Sequence, residues 1–155
     1  MIKVHVKRLV RSRFVMRCGY CGVSEQDTGA TLTFDHYKPR IAGGDDDLDN
    51  LVYACHACNE YKGDYWQDGP VRLLHPLLDD LSKHVQEEPN GTLMALDPSG
   101  TVYISQLQLN RPPLIAHRLE RKNSQMAAEQ RTKENALLDE ILREIQQLKN
   151  SRRNM

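Results

Sequence analysis

Four cysteines are the residues in this chain whose spacing points most directly to chemistry. They form two C-x-x-C pairs, Cys18 with Cys21 and Cys55 with Cys58. Zn²⁺ takes four tetrahedral ligands, and each short C-x-x-C turn presents two sulfurs on one side, so the pairs predict one structural zinc site. Two disulfides would also use four cysteines. The N-terminal residues lack the apolar core of a signal peptide, so we expect a cytoplasmic protein, in which zinc is favoured over disulfides.

An acid, a histidine and an amide lie between and just after these cysteines. Asp35 and His36 are adjacent in the segment between the two pairs, and Asn59 directly follows the last cysteine. A histidine that is neutral near pH 7 can accept a proton from water, while carboxylate and amide oxygens are hard ligands that suit Mg²⁺ or Mn²⁺. The arrangement therefore suggests a second metal and hydrolytic chemistry, with the zinc holding both ends of the segment.

The segment between the cysteines predicts a strand, a loop, a second strand and a helix. Residues 31–35 are β-branched and aromatic and predict a strand with His36 at its end, and residues 51–54 predict the second strand. A loop rich in glycine and aspartate separates them. Residues 56–62 predict a short helix that ends at Gly63. This order of elements can bring the acid and the histidine at the strand end near the amide on the helix.

The whole run resembles the HNH endonuclease family over about residues 14–65, which is under half of the chain. The motifs that carry the resemblance are Cys18-Gly-Tyr-Cys21, Phe34-Asp35-His36-Tyr37-Lys38-Pro39, Asp49-Asn50-Leu51-Val52 and Cys55-His-Ala-Cys58-Asn59. Several motifs in the family's order and at its distances make the match specific, since an Asp-His pair alone is common. The resemblance implies a zinc-stabilised ββα-metal fold that hydrolyses DNA phosphodiester bonds.

The resemblance also implies a role for each residue of the site. His36 matches the general base, and Asp35 and Asn59 match the ligands of a catalytic Mg²⁺ or Mn²⁺. Asn50 matches the middle asparagine of the family motif, which braces the loop and orients the histidine. The third letter of the motif is often histidine, and the asparagine in this chain keeps an oxygen or nitrogen ligand. The implied partner is double-stranded DNA, bound through its minor groove.

The charge distribution leaves two other functions open. The formal net charge is zero, which argues against a generic nucleic-acid binder, but the first 17 residues carry six basic side chains and no acid. Such a basic arm suits contact with phosphates, although it also suits an ordinary solvated surface. The acidic run at residues 45–47 is interpreted as a solvated loop, and Lys62 is a weak candidate for a phosphate contact. The alternatives to a nuclease are a non-catalytic zinc-ribbon module that binds nucleic acid and an interaction scaffold.

The complete chain is expected to have an α+β fold in three parts. Residues 1–70 form the HNH core with the zinc site and a basic N-terminal arm, whose conformation in residues 2–17 the pattern leaves undecided. Residues 71–112 form an extension with a helix and a β-hairpin, and residues 113–150 form a long C-terminal helix. No apolar run reaches the roughly 20 residues of a membrane span, so we expect no membrane partner.

Within the extension, the hydrophobic pattern predicts three elements. Leucines at near-helical spacing predict an amphipathic helix over residues 73–88. Turn signals at Asn90-Gly91 and Pro98-Ser99-Gly100 bound two short apolar runs, residues 92–96 and 101–104, which predict a hairpin. A further short helix is expected at about residues 105–109.

The C-terminal stretch contains neither glycine nor proline and has a partial heptad pattern. Residues at a and d spacing are Leu138, Ile141, Ile145 and Leu148, with Leu137 and Leu142 beside them. This pattern is typical of a two-heptad coiled coil and suggests a homodimer. A helix that lies on its own domain would show the same pattern.

Overall fold

The computed structural model describes residues 2–153 and divides the chain into two units, the first ending at His117 and the second beginning at Arg118. The helices are α1 (Val4–Arg13), α2 (Glu25–Thr28), α3 (His56–Lys62), α4 (Pro98–Gln106) and α5 (Pro112–Arg153). The strands are β1 (Thr33–His36), β2 (Leu51–Ala54), β3 (Val85–Glu87) and β4 (Leu93–Ala95). Single 3₁₀ turns occur at Arg40–Ala42 and Leu81–Lys83. The expected α+β class is confirmed.

A small two-stranded sheet and one helix form the part of the fold that carries the site. β1 and β2 pair antiparallel, with Asp35 opposite Val52 and His36 opposite Leu51. All four residues of β2 are buried, and α1 packs against this strand while α3 packs against its partner β1. The predicted order of strand, loop, strand and helix is confirmed, and His36 is the last residue of β1.

The helix α3 begins and ends as its sequence predicts. The Sγ of Cys55 accepts the backbone N–H of Cys58 at 3.4 Å, so the cysteine is the N-cap of the helix. At the other end, Gly63 has a φ of +50°, and its N–H donates to the carbonyl of Asn59 at 2.9 Å. The helix is therefore capped by the side chain of a cysteine that the sequence predicts to bind zinc.

The N-terminal arm, which the sequence leaves undecided, is the helix α1. Its inner face buries Val10, and Phe14 is buried just after the helix ends. The guanidinium of Arg11 makes two hydrogen bonds of 2.6 Å to the carboxylate of Glu25, which is the first residue of α2. Part of the basic arm is thus paired within the protein, and this pairing ties α1 to the first zinc knuckle.

The prediction of a helix over residues 73–88 is wrong, because this segment is irregular apart from the 3₁₀ turn at Leu81–Lys83 and β3. Side chains in this segment supply hydrogen bonds that compete with a helical backbone. The Nδ1 of His75 accepts the backbone N–H groups of Leu77 and Leu78, both at 3.1 Å, and Asp79 accepts the N–H of His75 at 2.6 Å. The leucines that suggested a helix are instead distributed between the core and the surface of an irregular segment.

The predicted pairing of residues 92–96 with 101–104 is also wrong. The hairpin exists, but β4 pairs with β3, in the register Val85 to Ala95 and Glu87 to Leu93. Residues 101–104 lie inside α4, which starts seven residues before the predicted helix at 105–109. The extension therefore contains a helix and a hairpin, as expected, but at other positions.

The start of α4 explains this error. The Oδ1 of Asp97 accepts the N–H of Gly100 at 2.7 Å, and Pro98 occupies the first turn, which is a favoured N-terminus rather than a turn between strands. Gly100 is required for close packing, since a Cβ at this position would lie 2.0 Å from the carbonyl oxygen of His84.

The core of the first unit joins the HNH segment to the extension. The buried apolar residues include Val10, Leu51, Val52, Leu73, Leu74, Tyr103, Leu107 and Leu109. The hydroxyl of Tyr103 donates to the carbonyl of Tyr20 at 3.0 Å, and both side chains are buried. The extension therefore completes the core that supports the zinc knuckles.

The second unit is the continuous remainder of α5, and the expected long C-terminal helix is confirmed. Its apolar side chains at the predicted heptad positions are between 42% and 66% exposed. These residues are Leu137, Leu138, Ile141, Leu142, Ile145 and Leu148. Among the described residues, no helix is both long enough and apolar enough to cross a membrane.

Candidate active site

A cavity of about 310 Å³ opens beside the end of β1 and the side of α3. Its lining residues are Phe34, Asp35, His36, Pro39, Arg40, Asn59, Gly63 and Asp64. Three of the four predicted active-site residues, Asp35, His36 and Asn59, therefore meet in one cavity. The fourth, Asn50, lies in the loop that positions the end of β1.

The imidazole of His36 is held by a carboxylate from the acidic loop. Its Nε2 lies 2.7 Å from the Oδ1 of Asp46, and the same carboxylate oxygen accepts a hydrogen bond from Arg40. The hydrogen bond with His36 lowers the pKa of Asp46, so the carboxylate is ionised and only accepts hydrogen bonds. Nε2 of His36 therefore donates to Asp46, and in the neutral imidazole Nδ1 has the lone pair that can act as a base.

Residues 45–47 form a largely exposed loop, as interpreted, but the sequence did not predict that Asp46 contacts His36. Sequence reasoning missed this partner because the contact joins residues ten positions apart across an irregular loop. The only signal in the sequence is the position of the acidic run, between the Asp-His pair and the asparagine that the resemblance assigns to loop bracing.

Asp35 is buried, and two side chains make polar contacts with its carboxylate. Its Oδ2 accepts a hydrogen bond of 2.6 Å from the hydroxyl of Tyr20, and the Nζ of Lys62 lies 3.2 Å from the same oxygen. Burial raises the pKa of Asp35, while the charge of Lys62 opposes this rise. Burial also lowers the pKa of Lys62, and Asp35 opposes that fall. Each charge thus helps to keep its partner ionised.

Lys62 has a structural position that excludes a direct contact with a phosphate. Its side chain has 0% exposure, and its Nζ also donates to the backbone carbonyl of His36 at 2.7 Å. The interpretation of this residue as a phosphate contact is therefore wrong. Lys62 instead connects the last turn of α3 to the Asp-His pair at the end of β1, and sequence reasoning missed this role together with that of Tyr20.

Asn50 connects the two ends of the loop between β1 and β2. Its Oδ1 accepts the N–H of Lys38 at 2.8 Å, and its Nδ2 donates to the carbonyls of Lys38 at 3.1 Å and Asp45 at 2.8 Å. The loop is compact at this point, because a Cβ on Gly44 would lie 1.7 Å from the carbonyl oxygen of Lys38. This bracing places Asp46 next to the histidine.

The four cysteines form a cluster whose donor set fits zinc. Their sulfur atoms all lie within 4.8 Å of one another, and none is in a disulfide. The sulfurs of Cys21 and Cys55, one from each knuckle, are 3.7 Å apart. Tetrahedral Zn²⁺ with Zn–S bonds of about 2.3 Å requires sulfurs roughly 3.8 Å apart, so the spacing suits this ion.

The family model for HNH endonucleases matches residues 18–65 of the chain. The comparison with curated proteins and the comparison with solved structures each found no match. The matched segment begins at the first cysteine and contains both zinc knuckles, the sheet of β1 and β2, the loop and α3. Residues 18–65 of this protein therefore match the HNH endonuclease family, and the match covers under half of the chain.

Proposed function

We propose that the protein is a metal-dependent HNH endonuclease that hydrolyses phosphodiester bonds in double-stranded DNA. The observation that carries the proposal is the single cavity lined by Asp35, His36 and Asn59, inside the segment that matches the family model. The three side chains come from the end of a strand and from the helix that follows the second knuckle, and both elements are fixed by buried contacts.

His36 is the residue to which we assign the general base. With its Nε2–H donated to Asp46, its Nδ1 is available to accept a proton from a water molecule in the cavity. Arg40 lines the same cavity and has a half-exposed side chain, which suits a contact with a DNA phosphate. Asp46 then has two functions, because it orients the base and holds Arg40 near the cavity.

Asp35 and Asn59 are the residues to which we assign the catalytic divalent ion. A carboxylate and an amide oxygen on one cavity wall suit Mg²⁺ or Mn²⁺, and the carboxylate has more lone pairs than its contacts with Tyr20 and Lys62 use. When bound, the ion supplies the positive charge that stabilises the phosphate in the transition state and the departing 3′ oxygen. Tyr20 and Lys62 hold Asp35 in position for this task.

We assign the structural zinc to Cys18, Cys21, Cys55 and Cys58. Three of the four cysteines are buried, and the cluster connects the first knuckle to the start of α3. Metal binding at this position would contribute to folding, because the first unit has a small core. The free thiols suit the reducing conditions of the cytoplasm, where we expect the protein to act.

We also propose a parallel homodimer through α5, because one such site cuts one strand and a double-strand break needs two. With Leu138 at position a, the g and e positions of a parallel dimer pair an apolar residue with an apolar one and an acidic residue with a basic one. Leu137 would meet Leu142 of the second copy, and Glu144 would meet Lys149 of the second copy. Apolar and charged pairs therefore fall in one register around the exposed seam.

A plasmid-cleavage assay with the purified full-length protein tests the nuclease proposal. We expect cleavage with Mg²⁺ or Mn²⁺, no cleavage in EDTA, and a loss of roughly 10²- to 10⁴-fold in His36→Ala, the usual contribution of a general base. His56→Ala is a matched control, because His56 lies on α3 of the same domain, its side chain is 90% exposed and it does not line the cavity.

The outcomes separate the alternatives. If His36→Ala cleaves DNA as fast as wild type, the general-base assignment is overturned. If the wild-type protein binds DNA with one zinc per chain but never cleaves it, the protein is the non-catalytic zinc-ribbon module. Zinc content well below one equivalent per chain would overturn the zinc site.

A further inference from the structure

The zinc cluster has a contact from outside the segment that matches the HNH family model. The Nη2 of Arg111 donates to the Sγ of Cys58 at 3.4 Å and lies 4.0 Å from the Sγ of Cys55. Arg111 follows α4 and immediately precedes α5, 46 positions beyond the last residue of the family match at position 65. It therefore joins the extension of the first unit to the second zinc knuckle.

The guanidinium of Arg111 is fixed by further contacts. Its Nη1 donates to the carbonyl oxygens of Leu107 at 3.0 Å and Gln108 at 3.2 Å, and its Cζ lies 5.4 Å from the ring centroid of Tyr61. Every one of these partners is a hydrogen-bond acceptor or an aromatic π-face, which attracts a cation. The side chain is thus held in one orientation, so little conformational entropy is lost when it faces the sulfurs.

The turn that carries Arg111 also contains backbone strain. Gln108 has a φ of +46°, in the left-handed region that residues other than glycine rarely adopt. Such a conformation costs of the order of 1–3 kcal/mol and persists where the surrounding structure imposes it. Here the N–H of Leu109 donates to the carbonyl of Ile104 at 2.9 Å, and that of Arg111 donates to Gln108 at 3.1 Å. These hydrogen bonds hold the turn in the conformation that places the guanidinium of Arg111 beside the cysteines.

The charge of a four-cysteine zinc site explains why a cation would be needed. Four thiolates and one Zn²⁺ carry a net charge of about −2. Three of the cysteines are buried, and an unpaired charge in a buried position is costly. A guanidinium at hydrogen-bond distance offsets part of this charge and orients the sulfurs, as outer-shell groups do at metal centres.

We propose that Arg111 is a positioning residue of the zinc centre, so that the functional metal site extends beyond the family domain. The proposal rests on the zinc site and does not require nuclease activity. Arg111 stabilises the thiolates of Cys55 and Cys58, and these two residues begin α3, which carries Asn59. The HNH domain then depends on the extension for its metal as well as for its core.

A chelator competition assay on the zinc-loaded, full-length protein tests the proposal. We expect Arg111→Gln to weaken zinc binding by about 10- to 100-fold, the usual effect of removing an outer-shell partner. Arg111→Lys should give an intermediate affinity, since lysine keeps the charge but not the fork of donors. Arg72→Gln is the matched control. Arg72 also makes a part-buried ion pair, with an N–O distance of 2.7 Å, but its partner is Asp79 and not a cysteine.

The absorption spectrum of the Co²⁺-substituted protein separates an effect on the metal from a loss of stability. A cation beside the sulfurs lowers the energy of their lone pairs, so Arg111→Gln should move the sulfur-to-cobalt charge-transfer band to longer wavelength. Arg72→Gln should not move it. An unchanged band and unchanged zinc affinity in Arg111→Gln would overturn the proposal, even if the variant is less stable.

Two further results are also decisive. If Arg111→Gln does not fold, Arg111→Lys carries the test, and a wild-type band and affinity in that variant would overturn the proposal. If the wild-type protein holds no zinc, the zinc assignment itself fails, whatever the nuclease assay shows.

Discussion

At the scale of single residues, the histidine of the site depends on an aspartate from a loop. Asp46 contacts His36 and Arg40 together, and Asn50 bridges the two ends of the loop between β1 and β2. The orientation of the proposed base is therefore set by a chain of side-chain contacts. Each contact can be removed separately, so the contribution of orientation to catalysis can be measured.

Replacing Asp46 with alanine should lower kcat by about tenfold or more, but by less than the 10²- to 10⁴-fold loss expected for His36→Ala. The imidazole remains, but the acceptor that fixes its tautomer and orientation is gone. KM should also rise, because Arg40 loses the contact that holds it near the cavity. Steady-state cleavage kinetics of both variants measure the effect.

Asp45→Ala is the control for this prediction, because Asp45 belongs to the same acidic run but its carboxylate accepts a hydrogen bond from the backbone N–H of Asp47. Equal kcat values for the two alanine variants would show that Asp46 does not orient His36.

The pair of Lys62 and Asp35 makes a second prediction at this scale. Lys62→Met should lower the free energy of unfolding by about 3–5 kcal/mol, because it leaves the buried carboxylate of Asp35 without its cation. Urea denaturation measures the change. Lys83→Met removes an ion pair with Asp80 whose lysine is 75% exposed, and this control should change stability by less than about 0.5 kcal/mol. Similar effects from the two substitutions would contradict the buried-pair interpretation.

At the scale of elements, local sequence signals predicted the strands and the helix that carry the site, but not the structure of the extension. The C-x-x-C spacing, the β-branched runs and Gly63 act within a few residues, so β1, β2 and α3 could be read from the sequence. The structure of residues 73–88 could not be read in this way. The imidazole of His75 accepts the backbone N–H groups of Leu77 and Leu78, which in a helix would donate to backbone carbonyls. The contact of Asp46 with His36 depends on how the whole loop closes, and no local pattern encodes it.

The start of α4 gives a prediction for an element that the sequence misassigned. Asp97→Ala should lower the free energy of unfolding by about 1 kcal/mol, the usual cost of losing an N-cap, because the N–H of Gly100 loses its acceptor. Asp97→Asn should retain most of the stability, since asparagine caps about as well as aspartate. Urea denaturation of the two variants compares them. A loss as large in the asparagine variant would assign the effect to the ion pair with His84 instead.

At the scale of the whole molecule, the first unit is larger than the family domain. Hydrogen bonds from Tyr103 to Tyr20 and from Gln106 to the carbonyl of Tyr61 at 2.8 Å attach α4 to the HNH segment. The extension also provides Leu73, Leu107 and other core residues. The family match therefore covers the candidate site, whereas the compact unit that contains it continues to His117.

The proposed dimer makes the prediction for the whole molecule. Ile141→Asp should convert a dimer into a monomer in light scattering, because it places a charge at a core position of the seam. Arg143→Asp is the control, since position 143 is at the outer f position. Glu144→Lys should weaken the dimer, and adding Lys149→Glu should restore it through the reversed charge pair. A monomeric wild type at working concentration would contradict the proposal.

Cys55 is at once a predicted zinc ligand, the N-cap of α3 and an acceptor for Arg111. Oxidation of this one sulfur would remove a metal ligand and would also release the first turn of the helix that carries Asn59. The proposed cutting activity would thus be coupled to the redox state of its surroundings. Thiol oxidants should inactivate the proposed nuclease, and a reductant supplied together with zinc should restore it.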